Sequence, residues 1–549
     1  MNRREFFGLQ NNEQIVDKPV RTAPVGLAEY GGPWTALHAT HLLKRTTFGA
    51  AYVDIQRFSA LSMETCVDEL IQTIETEPLP PINNYSPGIA DEHVPAGETW
   101  VNDSAAASGT LNNNRRNSLH AWWLGQILNQ SCTLREKMVL FWHNHLAIES
   151  PGINPRYLYQ YNVVLRKHAL GNFRTLLREM TLNPAMLVYL NGNKNTAAAP
   201  NENYARELQE LFAIGKGPDS HYTESDVQEA AKVLTGYEIN STTATYVFKP
   251  TKHHTGNKTF SAFYNNKVIT GKTGTSGEQE LDELLDMLFD QEELSKFICR
   301  KIYRFFVYYT INEQVESQVI IPLAAIFRQQ NYDIKPVLSA LFKSEHFYHP
   351  LNIGCLIKSP VDFLGGLLRE FNVKFPDISL YYADVYSLWR TIGTNALNQG
   401  EEIGNPPNVA GWPAYYQEPQ FHQLWINSNS LPQRNKFSDT MISTGFSRNG
   451  RKIIIDVLTY VTSMPDPGDP DKLVSQLVSN LFMLEISQNS KDFIKKEMLL
   501  SGQDSDAYWT SAWNNYITNP TNTTNRNIVQ TRLQSLLKYL MNLPEYQLS

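Results

Sequence analysis

The feature that most constrains the fold is a run of helical patterning over residues 118–237. Apolar residues recur there at the three- and four-residue spacing of one helix face, and glycine or proline ends each segment. Similar segments cover most of the chain, including its last hundred residues. Only residues 242–249 and 267–270 have the composition of strands. The sequence therefore predicts a mostly α fold, a large multi-helix assembly with one small β-hairpin.

The length of the chain predicts more than one structural unit. Its 549 residues exceed the roughly 250–300 at which a single core usually stops growing. We divide the chain into an extended N-terminal arm, a main helical domain and a C-terminal helical bundle, covering residues 1–33, 34–435 and 436–549. Within the main domain, residues 78–117 predict an irregular loop, either a cover for a cleft or a disordered surface insertion. Residues 242–275 hold the small hairpin and its loop.

The composition is that of an ordinary globular protein, with 42% hydrophobic and 19% charged residues. The net charge of −7 gives no reason to expect nucleic acid as a partner. No apolar run reaches the roughly 18 residues of a transmembrane helix, so no transmembrane segment is expected. The four cysteines are scattered and do not have the spacing of a thiolate metal site.

The first residues resemble the start of a twin-arginine export signal, with Arg3 and Arg4 followed by Phe6 and Phe7. Such a signal continues with an apolar segment of roughly 7–15 residues, whereas this chain continues with polar residues. The sequence therefore predicts a soluble protein, cytoplasmic by default, and leaves two alternatives open, a decayed signal and export with a signal-bearing partner.

Two histidines, His143 and His145, lie near the end of a predicted helix over residues 134–149. Residues two apart are about 200° apart around a helix axis, so a regular helix cannot bring both rings to one ion. His145 and Glu149 are four apart and would share a face. Two interpretations stay open: a metal or acid/base role for at least one histidine, or rings satisfied by carbonyls in an aromatic core.

A second predicted helix, over residues 201–215, carries Glu202, Arg206 and Glu207 on an apolar body. Glu202 and Arg206 are four apart and can pair. Glu207 lies near the polar–apolar boundary, where a carboxylate is costly unless it is paired or ligated. These residues are either ion pairs on the helix surface or partners of the histidines in a mixed nitrogen–oxygen site for Zn or Fe.

A third group, His253 and Lys258, lies in a loop after a predicted strand. Loops on a rigid scaffold often carry function, although an exposed polar turn explains these residues equally well.

Other motifs have simpler explanations. Residues 271–274 resemble part of a phosphate-binding loop, but position 266 is Asn where that loop needs glycine, so no nucleotide is expected. No Gly-x-Ser-x-Gly hydrolase motif occurs. Trp412, between Gly411 and Pro413, predicts a rigid turn with its ring in the core.

Taken together, these stretches resemble the bacterial family known as domain of unknown function 1800. They are HLLKRTTFG (41–49), REKMVLFWHNHLA (135–147), PNENYARELQELFAIG (200–215), YTESDVQEAAKVLTGY (222–237), HHTGNKTF (253–260), KSPVDFLGGLLR (358–369) and PPNVAGWP (406–413). The resemblance implies a mostly helical and commonly exported, hence periplasmic, protein. It also implies a possible partner from a second uncharacterised family that is similar to sulfatases.

The resemblance also assigns motif positions. The residues that match the motifs of the family are His143, His145, Asn201, Glu202, Asn203, Arg206, Glu207, His253, Gly256 and Lys258. This chain has His254 where the family usually has Asp, which weakens a carboxylate-ligand role at that position.

Two functional hypotheses follow. The first is a metal-dependent enzyme, a hydrolase or an oxidoreductase, with a divalent Zn, Fe or Mn ion between helices. Its metal ligands would be His143, His145, Glu202 and His253, and its catalytic residues Glu207, Arg206 and Lys258. The second is a non-catalytic binding or scaffold protein of a cell-envelope or secretion-linked complex, in which the His/Glu cluster is a buried structural network.

Overall fold

A computed structural model describes residues 26–72, 76–85 and 88–549. Helices dominate it, which confirms the mostly α class. In the first half of the chain they are Ala36–Thr46, Tyr52–Ser59, Met63–Gln72, Gly109–Asn129, Arg135–His145, Pro155–Lys167, Phe173–Thr181, Pro184–Tyr189, Asn203–Glu207 and Glu224–Val233. In the second half they are Glu280–Phe289, Glu292–Phe306, Glu313–Val315, Ile321–Gln329, Ile334–Phe342, Pro360–Glu370, Ile378–Asn398, Ser430–Ser443, Val457–Thr462, Pro470–Leu481, Gln488–Ile494, Ala507–Thr518 and Thr523–Asn542. The twin-arginine-like start lies outside the described residues.

The helix that carries the two central histidines, Arg135–His145, ends earlier than predicted. Leu146 leaves helical geometry, with φ −103° and ψ 46°. Glu149 therefore lies beyond the helix, where its carboxylate accepts a hydrogen bond from the Tyr189 hydroxyl at 3.0 Å. The expected shared helical face of His145 and Glu149 is wrong for this reason.

The glutamate-rich stretch forms a short α-helix, Asn203–Glu207, that widens into a π-helix over Leu208–Ala213. Gly215 lies two residues beyond its end and has a φ of +86°, and a Cβ there would lie 2.7 Å from the Phe297 ring. Glycine is therefore required both by the backbone and by the close contact. Widened turns of this kind often mark functional positions in helices.

Within the described residues, the β-structure consists of three two-stranded antiparallel sheets, where the sequence predicted one hairpin. The paired strands are Tyr237–Asn240 with Thr245–Phe248, Lys258–Thr259 with Val268–Ile269, and Phe446–Arg448 with Arg451–Ile453. The two segments expected to pair, 242–249 and 267–270, instead lie in different sheets. The third sheet turns at Asn449 and Gly450, both with positive φ, the Asn-Gly signal of a tight hairpin.

The irregular loop predicted over residues 78–117 is shorter than expected. A helix begins at Gly109, because the Ser108 hydroxyl accepts the Leu111 N–H at 3.2 Å and caps its first turn. Arg115, on this helix, is buried and pairs with Asp91 at 2.8 Å and with Asp103 at 2.6 Å, both in the loop. These ion pairs tie the described part of the loop to the helical body.

The Trp412 turn confirms its predicted structural role. The ring is 1% exposed, and the Trp412 N–H donates to the Asn144 side chain at 2.9 Å. A Cβ at Gly411 would lie 2.3 Å from the same side chain. The turn therefore packs directly on the histidine helix.

The C-terminal helices contact the main body through their last residues. The Tyr546 hydroxyl donates to Glu370 at 3.0 Å, and the Lys358 N–H donates to the Gln547 carbonyl at 2.9 Å. The domain division at residue 436 stays a prediction. In the part of the chain that the structure describes, no helix is long and apolar enough to cross a membrane, as the sequence predicted.

Candidate functional site

His143 is buried among aromatic rings, with 1% of its surface exposed. Its Nδ1 lies 2.8 Å from the Tyr161 hydroxyl, and that hydroxyl donates to the Leu146 carbonyl at 2.9 Å. The single hydroxyl proton is thus used, so Nδ1–H of His143 must be the donor to Tyr161. Burial, with a smaller effect of His120, lowers the pKa of His143 to about 3. The ring is therefore neutral, and its Nε2 carries a bare lone pair that has no hydrogen-bond partner among the described residues.

His145 uses the opposite nitrogen. Its Nε2 lies 3.0 Å from the Phe212 carbonyl, which can only accept, so Nε2 carries the proton. Burial and the nearby Lys301 lower the pKa of His145 to about 3, although the bond to the carbonyl acts the other way. Within the described part of the chain, Nδ1 is left as a buried lone pair without a hydrogen-bond partner. Phe212 belongs to the glutamate-rich stretch, so the two stretches do meet, but through a ring and a backbone carbonyl.

The charged residues of the glutamate-rich stretch face outwards. Arg206 donates to Glu202 at 3.0 Å and to Glu224 at 2.8 Å, and all three side chains are about one-third or more exposed. Glu207 is half-buried, and burial together with Glu210 raises its pKa above the ordinary value. This geometry is that of a surface ion-pair network.

His253 and Lys258 both contact the carboxylate of Glu280, and all three side chains are almost completely buried. Lys258 forms an ion pair with Glu280 and also donates to the His254 carbonyl at 2.5 Å. His253 Nδ1 lies 3.0 Å from the Thr235 carbonyl, and Nε2 lies 3.2 Å from Glu280. Burial acts to raise the pKa of Glu280, but bonds from His253 and Lys258 outweigh it and leave the pKa lowered.

The seven predicted site residues therefore occupy separate groups. His253 and Lys258 share Glu280, Glu202 and Arg206 share an ion pair, and His145 reaches only the backbone of the glutamate-rich stretch. Among residues 26–72, 76–85 and 88–549, no group of three or more His, Cys, Asp or Glu side chains is arranged to hold a metal ion. Their roles as metal ligands and catalytic residues stay predictions.

A different cluster was missed at the level of sequence. A cavity of about 40 Å³ lies where several of the family-like sequence segments meet, and we name it the cationic cavity. Its lining residues are Lys44, Arg45, Lys137, Arg304, Phe305, Tyr309, Leu356, Ile357, Ser359, Asp362, Ala414, Tyr415, Phe421, His422, Trp425 and Ser549. Stretches 41–49, 135–147 and 358–369 all contribute, and residues 414 and 415 directly follow stretch 406–413. The sequence feature that could have indicated this cavity is the presence of basic residues inside apolar helical segments.

The basic residues of the cationic cavity are deeply buried. Lys44, Arg45 and Lys137 are each less than 5% exposed. Lys137 forms an ion pair with Asp362, at the start of helix Pro360–Glu370, and lies 4.8 Å from the centre of the Phe48 ring. Buried amines of this kind require compensation by carboxylates or carbonyl groups.

His422 contributes a neutral donor to the wall. The Ile357 N–H donates to its Nδ1 at 3.1 Å, so Nδ1 is unprotonated. Burial and the positive charge of Arg45 lower the pKa of His422 to about 3, which keeps the ring neutral with its proton on Nε2. Nε2–H is buried and has no acceptor in the described structure.

Glu401 lies behind the same wall and is completely buried. One carboxylate oxygen accepts the Val361 N–H at 2.8 Å, whereas Oε1 has no hydrogen-bond partner among the described residues. Burial raises the pKa of Glu401 to about 7, although the Val361 N–H acts the other way. This carboxyl group therefore changes charge near neutral pH beside a strongly basic cavity.

Comparison with known proteins identifies the family. The family model described as a protein of unknown function, DUF1800, matches residues 41–548. No curated protein and no solved structure matches the chain. The matched region includes the predicted His/Glu residues and all but the last lining residue of the cationic cavity. Because the match spans nearly the whole sequence, the chain belongs to the DUF1800 family.

Proposed function

We propose that this protein acts by binding a ligand, and that the predicted His/Glu set is a structural network that stabilises the helical body. The observation that carries the proposal is that the ring N–H of each central histidine donates a hydrogen bond to a neighbouring element. His143 and His145 donate to Tyr161 and to the Phe212 carbonyl, so each ring joins its helix to a different element. Buried polar groups satisfied in this way are typical of a fixed core.

The outward-facing glutamates support the same proposal. Glu202 is paired with Arg206 and lies at the helix surface, away from the buried lone pairs of the histidines. A metal site would need these carboxylates to turn inwards and displace apolar side chains. The cationic cavity, by contrast, already gathers buried charged groups from several segments.

Metal binding is the second candidate, and one specific observation favours it. His143 Nε2 and His145 Nδ1 are bare, buried nitrogens, and each ring donates its other N–H to an oxygen. Histidine ligands of metals are usually held in this way. Metal content therefore discriminates between the two candidates.

The test uses untagged protein, in which metal content and thermal stability are measured for wild type, His143→Ala and His221→Ala. His221 is an exposed histidine and serves as the matched control. We expect less than about half an equivalent of bound metal in all three proteins. We also expect His143→Ala to lower the free energy of unfolding by about 2–4 kcal/mol, because it leaves a cavity and removes the buried hydrogen bond that the Tyr161 hydroxyl accepts.

A different result would reverse the assignment. Metal close to one equivalent in wild type and in His221→Ala, but lost in His143→Ala, would establish the metal-dependent hypothesis. Wild-type stability in His143→Ala would separately contradict the structural role.

A further inference from the structure

The charge on the cationic cavity is unbalanced at its surface. Besides Arg45, the described lining residues include three basic side chains, Lys44, Lys137 and Arg304, and one acidic side chain, Asp362. Asp362 is already engaged by Lys137. Positive charge that is removed from water is costly unless an anion accompanies it. The lining therefore favours an anionic occupant.

The carboxylates behind the lining compensate only part of this charge. Lys44 lies 3.3 Å from Glu370 and donates to the Leu481 carbonyl at 2.8 Å. Arg304 has a single ion pair among the described residues, 3.9 Å from Glu418, which is itself 73% exposed. An exposed pair at that distance contributes little, so the charge of Arg304 remains available to a ligand.

Uncharged donors complete the lining. His422 presents a buried Nε2–H that has no acceptor in the described part of the chain, and hydroxyl groups come from Ser359 and Tyr415. An unsatisfied buried donor costs about 1–3 kcal/mol, and a ligand oxygen would remove that cost. The same positive field accounts for part of the lowered pKa of His422, because Arg45 is one of its causes.

The size and the arrangement of the cavity define the ligand. About 40 Å³ is room for about three waters, at 10–15 Å³ for each water. A nucleotide or a sugar ring does not fit, whereas one oxyanion group does. The donors come from six separate positions along the chain, 44–45, 137, 304, 359, 415 and 422.

We propose that the cationic cavity binds a single tetrahedral oxyanion, phosphate or sulfate, either free or as the end group of an ester. This deepens the proposed binding function, on which it rests. The charge of Arg304 and the neutral donor of His422 are the two features of the lining that an oxyanion would use most directly.

The experiment is calorimetric titration and thermal denaturation of the full chain with phosphate, sulfate and glycerol phosphate. Chloride at matched ionic strength is the reference, and any tag is placed at the N-terminus because Ser549 lines the cavity. We expect a Kd below about 1 mM for phosphate or sulfate and a melting temperature that rises with anion concentration. If glycerol phosphate binds as well as phosphate, the natural source is a phosphate ester; if only the free ions bind, it is a free anion.

The variants test the location of the site. Arg304→Met removes a partly exposed cation from the lining, and Lys296→Met removes the same charge from the same helix outside the cavity. We expect Arg304→Met to weaken binding at least tenfold and Lys296→Met to leave it unchanged, with both variants folded by circular dichroism. His422→Phe, which removes the neutral donor, is a second variant and should also weaken binding.

Two outcomes would overturn the proposal. One is the absence of any effect of phosphate and sulfate beyond that of chloride. The other is equal weakening by Arg304→Met and Lys296→Met, which would show a general effect of net charge. Neither outcome depends on the metal content or on the stability of His143→Ala, so failure of the oxyanion site is distinguishable from failure of the proposed function.

Discussion

His143 and His145 are held as opposite tautomers by the elements packed against them. The i, i+2 spacing indicated that they face different directions, and they do contact different partners, Tyr161 and the Phe212 carbonyl. The spacing could not show which nitrogen is protonated, because the partners lie 18 and 67 residues away along the chain. The tautomer decides whether a free lone pair exists, and it is therefore a tertiary property.

Tyr161 is the residue on which the His143 geometry depends, because its hydroxyl both accepts from His143 and donates to Leu146. We expect Tyr161→Phe to lower the free energy of unfolding by about 1–3 kcal/mol, since it leaves a buried ring N–H and a buried carbonyl unpaired. The matched control is Tyr159→Phe, two residues earlier on the same helix, which should change stability by less than about 0.5 kcal/mol. Chemical denaturation measures both, and equal effects would contradict the hydroxyl bridge.

At the level of elements, helices were easier to predict than strands. A helix face repeats within four residues, so periodicity alone locates it. The strands of this chain are two to four residues long, too short for an alternating pattern to emerge. The Asn449-Gly450 turn was the usable signal for the third sheet, but its flanking strands are mostly polar.

The second sheet is joined to helix Glu280–Phe289 by the buried ion pair of Lys258 and Glu280. We expect Glu280→Gln to destabilise the protein by about 3–5 kcal/mol, because it leaves Lys258 buried without a counter-charge. The control Glu283→Gln removes an exposed partner of Lys272 and should cost at most about 1 kcal/mol. Combining Glu280→Gln with Lys258→Met should restore part of the stability, since neither charge then remains buried. Denaturation curves of the four proteins test this, and an unrestored double variant would show that packing matters more than charge.

At the scale of the whole molecule, buried neutral histidines dominate the response to acid. The histidines whose pKa is lowered by burial are His38, His41, His120, His143, His145 and His422. Each stays neutral in the folded state but protonates below about pH 6.5 when unfolded. The unfolded state therefore binds more protons, so stability is fully present above pH 6.5 and decreases as pH falls towards the folded pKa values.

Glu401 has the opposite effect on the pH dependence of stability. Its pKa is raised to about 7, so the folded state holds a proton that the unfolded state has lost above its ordinary pKa. The histidines outnumber it, and we expect the free energy of unfolding to fall between pH 6.5 and 4.5 by about 1.4 kcal/mol per pH unit for each net proton taken up. The measurement is the melting temperature across that range. A flat profile would contradict the neutral state of the histidines, and His143→Asn should reduce the slope by about one proton.

The parts of the candidate site that could be predicted are those whose residues lie close together along the sequence. Glu202 and Arg206 pair within one helix, as their spacing indicated. His253 and Lys258 were singled out from the sequence and their functional roles stay predictions, whereas their shared partner Glu280 lies 22 residues beyond Lys258 and has no local signal. Lys44, Lys137 and His422 are far apart along the chain, so no spacing rule relates them.

The sequence by itself determined the helical class and the family, because helical periodicity is local and family motifs are read position by position. It also determined that Trp412 would pack in the core, since the flanking glycine and proline fix its turn. Only the tertiary structure decided which charges are buried together. Stretches 41–49, 135–147 and 358–369 each show basic residues in apolar surroundings, and packing alone turns them into one cavity. Burial, not residue type, then sets the protonation of His143, His145 and His422 and the charge that a ligand would encounter.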